Sequence, residues 1–334
     1  MQKNKQFKQF LFLVLRFGLA VVLLGILYKT GRLDLGVVSK VRITTLLSTL
    51  PLYFLSFIAG IWRWQYLVRA VNLPISLYDT TRMTMIGIWF SSVMPGGSVI
   101  GGDAARIAYI AKQCPNRRTD AAVSVMIDRA LGLMSILVIA LLSVMLNEQI
   151  FLQNRWVKVI FFILFAGLFG LLILLLVSQS EPIRQRLEYL PWVRKIPGSR
   201  VIFNALAAFH DYRECRSALL KGHLVSYIGH GAMIIAIMLL ARELDIHLGI
   251  KEYLFAISVG LITAMIPISG PAGVGAGNVG FSATFSLLNA GYGAELAILW
   301  QASFILASQV GVVFFLLEIR NKQKTDRHLT MNSL

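Results

Sequence analysis

Several apolar runs about as long as a bilayer is thick constrain this chain more than any other feature. A helix needs ~20 predominantly apolar residues to cross the hydrocarbon core, and Phe10 to Tyr28, Val157 to Val177 and Leu296 to Leu317 approach or exceed that length. In lipid every backbone amide and carbonyl must find its partner inside the protein, which such runs achieve as helices. Composition agrees: 57% of the 334 residues are hydrophobic and 14% charged, against about 25% charged in a soluble domain. The expected fold is all-α, a polytopic transmembrane helix bundle.

Full crossings are expected at about 10–28, 43–66, 121–146, 157–177, 222–240 and 295–317. Two shorter apolar pieces, about 83–94 and 253–268, each run into Gly/Pro-rich chain and then a second short helical stretch, about 104–113 and 279–289. We read each pair as a re-entrant broken-helix hairpin. Six spans and two hairpins make a single transmembrane domain, 1–334, with half-repeats about 1–150 and 151–320. Three crossings per half is an odd number, so the second half would enter the membrane inverted, as in transporters whose binding sites lie where helices are broken.

The net charge of +16 comes from 32 Lys/Arg against 16 Asp/Glu. The cations lie in short connections beside apolar runs, where they set topology and attract anionic headgroups rather than nucleic acid. With Lys3, Lys5 and Lys8 inside, 21 Lys/Arg fall in cytoplasmic segments and eight in external ones; Lys29, Arg32, Lys40 and Arg42 run against that trend. The expected location is the cell (inner) membrane with both termini cytoplasmic. The apolar run after the N-terminal lysines lacks a small-x-small cleavage site and is read as a retained span. The polar stretch 178–221 is expected to be a cytoplasmic amphipathic connection, with Val201, Ile202, Ala205, Leu206 and Phe209 on one face. Cys114 and Cys215 both fall in cytoplasmic loops, so no disulfide framework is indicated.

The two breaks share a pattern, P-x-G-x-x-x-G, from Pro95 to Gly101 and from Pro271 to Gly277. Proline ends a helix and glycine permits positive φ and close backbone approach. Amides freed at such a break can receive anions. Pro95, Pro267 and Pro271 are therefore hinge candidates, and Gly97, Gly101, Gly102, Ser269, Gly273, Gly275 and Asn278 are substrate-binding candidates. The plainer alternative is tight helix packing.

Asp103 and Arg106 follow the first break one turn apart, and Asp128 and Arg129 lie inside the third span. Ionisable groups in a membrane interior face partners or a wet cavity. They could receive an anionic headgroup on the arginines, with the aspartates holding them, or form an ion-pair cluster locking the hairpin to the span; the two readings are compatible. His223, Tyr227 and His230 on one face, and Gln301, Ser308 and Gln309 on another, read better as interhelical glue. Trp62, Arg63 and Trp64 read as an interfacial anchor with a snorkelling arginine. Gly275 to Gly280 satisfies G-x-G-x-x-G, yet no βαβ unit surrounds it. No catalytic residue, metal or cofactor is expected.

The stretch from Met94 to Arg106, ending in G-G-D-x-x-R, then Asp128 to Gly132, then Pro267 to Gly275, resembles the lysylphosphatidylglycerol synthase transmembrane-region family of flippase-like membrane proteins. The resemblance implies a lipid flippase or translocation partner. In the full-length synthases this region is joined to a soluble aminoacyl-transferase domain; this sequence ends at Leu334 after its last span, so no enzyme activity is expected. The family's second motif often continues to an arginine and a glutamate, where this chain has Gly277 and Asn278. The expectation is a transporter of an anionic phospholipid or polyprenyl-linked lipid. Its partners would be membrane lipids, a second copy of the chain, or a lipid-synthesis enzyme. The rival readings are a membrane-embedded transferase using Asp103 as base and a non-transporting partner of a lipid-synthesis complex.

Overall fold

The computed structural model describes residues 18–94, 102–180, 186, 212–266 and 268–331. Over these residues the chain is a polytopic bundle of helices without strands. Its elements are α1 (Gly18–Lys29), α2 (Leu35–Val38), α3 (Ile43–Ala70), α4 (Leu77–Val93), α5 (Gly102–Gln113), α6 (Arg118–Leu146), α7 (Glu148–Gln153), α8 (Arg155–Gln179), α9 (Arg216–Glu243), α10 (Ile250–Ala264), α11 (Ala276–Leu287), α12 (Gly293–Ser308) and α13 (Val310–Met331). Five stretches among the described residues are long and apolar enough to span a membrane, namely α3, α6 with its preceding turn, α8, α9, and α12 running into α13. The first expected span is described only from Gly18, and the amphipathic connection lies outside the described residues except at its ends and Arg186.

Three helices stop in the same way. Asn72, Asp245 and Asn289, just beyond α3, α9 and α11, take φ of 51°, 57° and 56°. Short polar side chains tolerate this left-handed conformation better than other non-glycine residues. The turn lets Leu73 N–H reach the Val68 carbonyl at 2.9 Å, Ile246 that of Ala241 at 3.0 Å and Ala290 that of Phe285 at 3.0 Å, satisfying carbonyls the helix end would orphan.

The two pairs of short helices each fold back on themselves. In the first, Gly102 of α5 packs on the Gly87 carbonyl and Ser91 of α4, and Gln113 at the far end of α5 donates to Asp79 in the first turn of α4 at 3.3 Å. In the second, Gly280 of α11 meets Thr263 of α10, and Thr284 donates to the Ala256 carbonyl at 3.1 Å. Small residues let the backbones of each antiparallel pair approach closely. The Gly275–Gly280 pattern is thus spent on helix packing: Gly277 faces Ala264, and Gly280 faces Thr263.

At the centre, α3 and α9 lie side by side, with Gly229 against Ala59 and the Ser56 carbonyl. α6 and α12 pack around them, and α8 stands outermost with Phe162, Ile163, Phe165 and Phe169 exposed, a face suited to lipid. The last span, expected at about 295–317, runs from Gly293 to Arg320 as α12 continues into α13. It breaks at Gln309, where Ser308 donates to Ser92 of α4 at 2.7 Å and Gly311 presses on the Met85 carbonyl. A side chain at Gly311 would overlap that carbonyl, so the break and the glycine together seat α13 on α4.

Candidate functional site

Five charged side chains from three helices converge beside the first hairpin. α5 contributes Asp103 and Arg106, α6 the adjacent Asp128 and Arg129, and α3 Arg63. The pairing is crossed between helices. Arg106 Nη1 lies 2.9 Å from Asp128 Oδ2, and Arg129 Nε lies 2.6 Å from Asp103 Oδ2. The pairing expected within α5 is weaker, with Arg106 Nη1 3.6 Å from Asp103 Oδ1. Asp128 Oδ1 accepts from Arg63 Nε at 2.6 Å. The result is an alternating chain, Arg63, Asp128, Arg106, Asp103, Arg129, in which each aspartate bridges two arginines. It locks the hairpin to α6, as the structural reading of these charges required.

The surroundings are shaped to these arginines. A Cβ on Gly87 would stand 2.9 Å from Arg106 Cγ, and one on Gly132 would stand 2.8 Å from Arg63 Nη1, so both side chains lie in glycine notches. The Trp64 ring centroid is 4.1 Å from Arg106 Cζ, a cation–π contact that covers one side of the guanidinium. Trp64 is itself held by donating from Nε1 to Ser124 Oγ at 3.1 Å. Arg63 also donates to Ser226 of α9 at 3.2 Å.

This corrects the sequence reading of Trp62, Arg63 and Trp64 as one interfacial anchor. Trp62 is exposed, but Trp64 is buried and Arg63 points into the bundle. Helical phase separates them: Ser56, Gly60 and Arg63, at i, i+4 and i+7, share the inward face.

The network forms one end of a central cavity of about 210 Å³. Its polar wall holds Arg63, Arg106, Asp128, Arg129, Thr84, Ser91, Ser226 and His230; its apolar wall includes Phe57, Ile88, Met233, Leu261, Trp300 and Phe304. Ala272 and Gly273 of the second break close it from the other half of the chain. Their backbone is unusual, with φ of 49° at Ala272 and 83° at Gly273, and Pro271 opens the short turn that contains them.

The remaining sequence candidates divide. Pro95, Gly97, Gly101 and Pro267 lie outside the described residues. Gly102 is a packing contact between α4 and α5. Gly275, at φ 90°, packs on Ala20 of α1, and Ser269 is buried with no partner for its hydroxyl among the described residues. Asn278 is fully employed: Oδ1 accepts from Gly275 N at 3.0 Å and Gln301 Nε2 at 3.2 Å, while Nδ2 donates to the Ala294 carbonyl at 3.2 Å. It caps α11 and ties it to α12.

The histidine stripe also divides. His223 pairs with Tyr227 at 2.9 Å, whereas His230 Nε2 contacts the Gly132 carbonyl at 2.9 Å and lines the cavity.

A fold of membrane-spanning helices around a central cavity lined by arginines and an aspartate defines a polytopic membrane protein. The chain belongs to the lysylphosphatidylglycerol synthase transmembrane-region family, whose profile matches residues 11–314. It is also 23% identical over 295 residues to the UPF0104 membrane protein PH1989 of Pyrococcus horikoshii, an alignment covering 82% of this chain and 86% of that protein.

Proposed function

We propose that the protein is a flippase-like transporter that moves an anionic phospholipid or polyprenyl-linked lipid between leaflets of the cytoplasmic membrane. The observation that carries this reading is the central cavity, where arginines beside the first hairpin meet the broken backbone of the second. Family membership adds weight, because its description names a lipid synthase's transmembrane region. In the proposal both hairpins are re-entrant, the halves about 1–150 and 151–320 are inverted repeats, and both termini are cytoplasmic. The headgroup occupies the cavity on Arg106 and Arg129. At about 210 Å³ the chamber is smaller than the ~300–1,000 Å³ of a site for a whole drug-sized ligand. The acyl chains accordingly stay in lipid, and the hairpins expose the cavity alternately to the two sides.

The transferase reading is less favoured because Asp103 is buried and accepts from Arg129 at 2.6 Å, so its Oδ2 is already engaged by an arginine rather than open to a substrate. The test is reconstitution of purified protein into vesicles carrying fluorescent short-chain lipids. Accelerated translocation of an anionic or polyprenyl-linked lipid over protein-free vesicles is expected; correctly folded protein that moves none of these lipids would refute the proposal.

A further inference from the structure

Glycine inside a helix is unfavourable, because it loses more backbone entropy on folding than alanine does and leaves the backbone more exposed. A glycine there needs a reason, and for most glycines of the central helices the reason is a neighbour. Gly87 and Gly132 make room for Arg106 and Arg63, Gly222 for Leu131, and Gly229 for Ala59. Gly60, in the interior of α3, has no such neighbour: a Cβ built on it meets nothing within 4 Å among the described residues. Its φ is not positive, so the backbone does not require glycine either. The open space lies inside the bundle. At roughly 100° per residue, Gly60 shares its face with Tyr53, Phe57, Trp64 and Leu67, all buried, and stands opposite Ile58 and Trp62, both exposed. With Ser56, Phe57, Ala59 and Arg63 it forms the α3 wall of the central cavity, and it is the member of that wall without a side chain.

Resting on the lipid-transport reading above, we infer that Gly60 is a specificity-determining residue. The side chain it lacks is the space that a headgroup fills beyond its charged group, and the residue at this position sets the largest headgroup the cavity admits. Arg63 of the charged wall lies one turn to one side of Gly60, and Phe57 of the apolar wall one turn to the other. A side chain at position 60 would therefore enter the cavity between those two walls. The cavity is small, about 210 Å³, so one added side chain removes a large share of it. Packed interiors give way to added methylenes only at a cost. A larger residue here excludes by size and leaves the arginines where they are. Gly87 and Gly132 differ in this respect, because a side chain at either would press on Arg106 or Arg63 itself.

The test uses the full chain in neutral detergent, with binding measured calorimetrically for the wild type, Gly60→Ala and Gly60→Leu. The probes are two dioctanoyl lipids of equal charge and unequal headgroup, phosphatidylmethanol and phosphatidylglycerol. The wild type should bind both. Gly60→Ala should melt no lower than the wild type, since its methyl enters open space and alanine favours the helix. Gly60→Leu should lose at least about tenfold more affinity for phosphatidylglycerol than for phosphatidylmethanol. If the leucine protein does not fold, Gly60→Ala carries the comparison, with a shift of about twofold in the same direction; an unchanged ratio then overturns the inference. A lower melting temperature for Gly60→Ala also overturns it, because the position would then be packed. So does a folded Gly60→Leu protein that loses both lipids equally or loses neither, and so does a wild type that binds neither. Translocation of fluorescent-tailed versions of the same lipids in vesicles separates this inference from the reading it rests on. Size-selective binding in a protein that moves neither lipid leaves the inference standing and removes the transport reading. Transport with the same headgroup preference in the wild type and Gly60→Leu does the reverse.

Discussion

Asp128 accepts from Arg63 through one oxygen and from Arg106 through the other, at 1% exposure. Removing its charge leaves two buried guanidinium groups facing each other without their shared counter-ion. Breaking a buried pair in this way costs about 3–5 kcal/mol. Asp128→Asn should therefore lower the melting temperature of the detergent-purified protein sharply, and adding Arg63→Met should restore part of the loss; no change in either variant would mean the network contributes nothing to stability. Four of the five charges were legible in the sequence because they flank a helix break or sit inside an apolar run. Arg63 was not, because two tryptophans beside it mimic an interfacial belt. The signal that could have found it is the small and polar stripe Ser56, Gly60, Arg63, which continues one helical face into the bundle. Asn278 shows the opposite error: an amide at a break looks like a ligand-binding group until its three contacts are traced to the cap and its neighbours.

The long helices were legible because membrane spans need continuous apolar sequence, and the two pairs of short helices were legible as shorter apolar pieces around Pro/Gly-rich chain. The one-residue break between α12 and α13 at Gln309 was not. No proline or glycine occupies that position, and the break accompanies contacts with α4 that are distant in sequence. The same dependence on neighbours separates glycines that look alike. On α9, a Cβ on Gly229 would stand 3.2 Å from Ala59 Cβ, whereas a Cβ on Gly231 meets nothing within 4 Å. Gly231→Ala should stabilise by about 0.5–1 kcal/mol, the usual gain of alanine over glycine within a helix. Gly229→Val should instead destabilise by about 1–3 kcal/mol by forcing α9 from α3. Paired melting curves check this, and equal shifts in the two variants would contradict the packing described here.

Over the whole molecule, the hairpins and the central helices meet at one small chamber whose charged wall comes from the first half of the chain and whose opposing backbone comes from the second. The sequence places charges directly after the first break and none after the second until Glu295. It could not reveal the chamber itself, which depends on α3, α9 and α12 converging from separate parts of the chain. The central claim is that this chamber receives a lipid headgroup. Its most direct measurement is an experimental structure of the protein in bilayer discs of phosphatidylglycerol. Phosphate density is expected in the cavity beside Arg106 and Arg129. Ordered lipid confined to the outer surface, with the chamber holding only water, would contradict it.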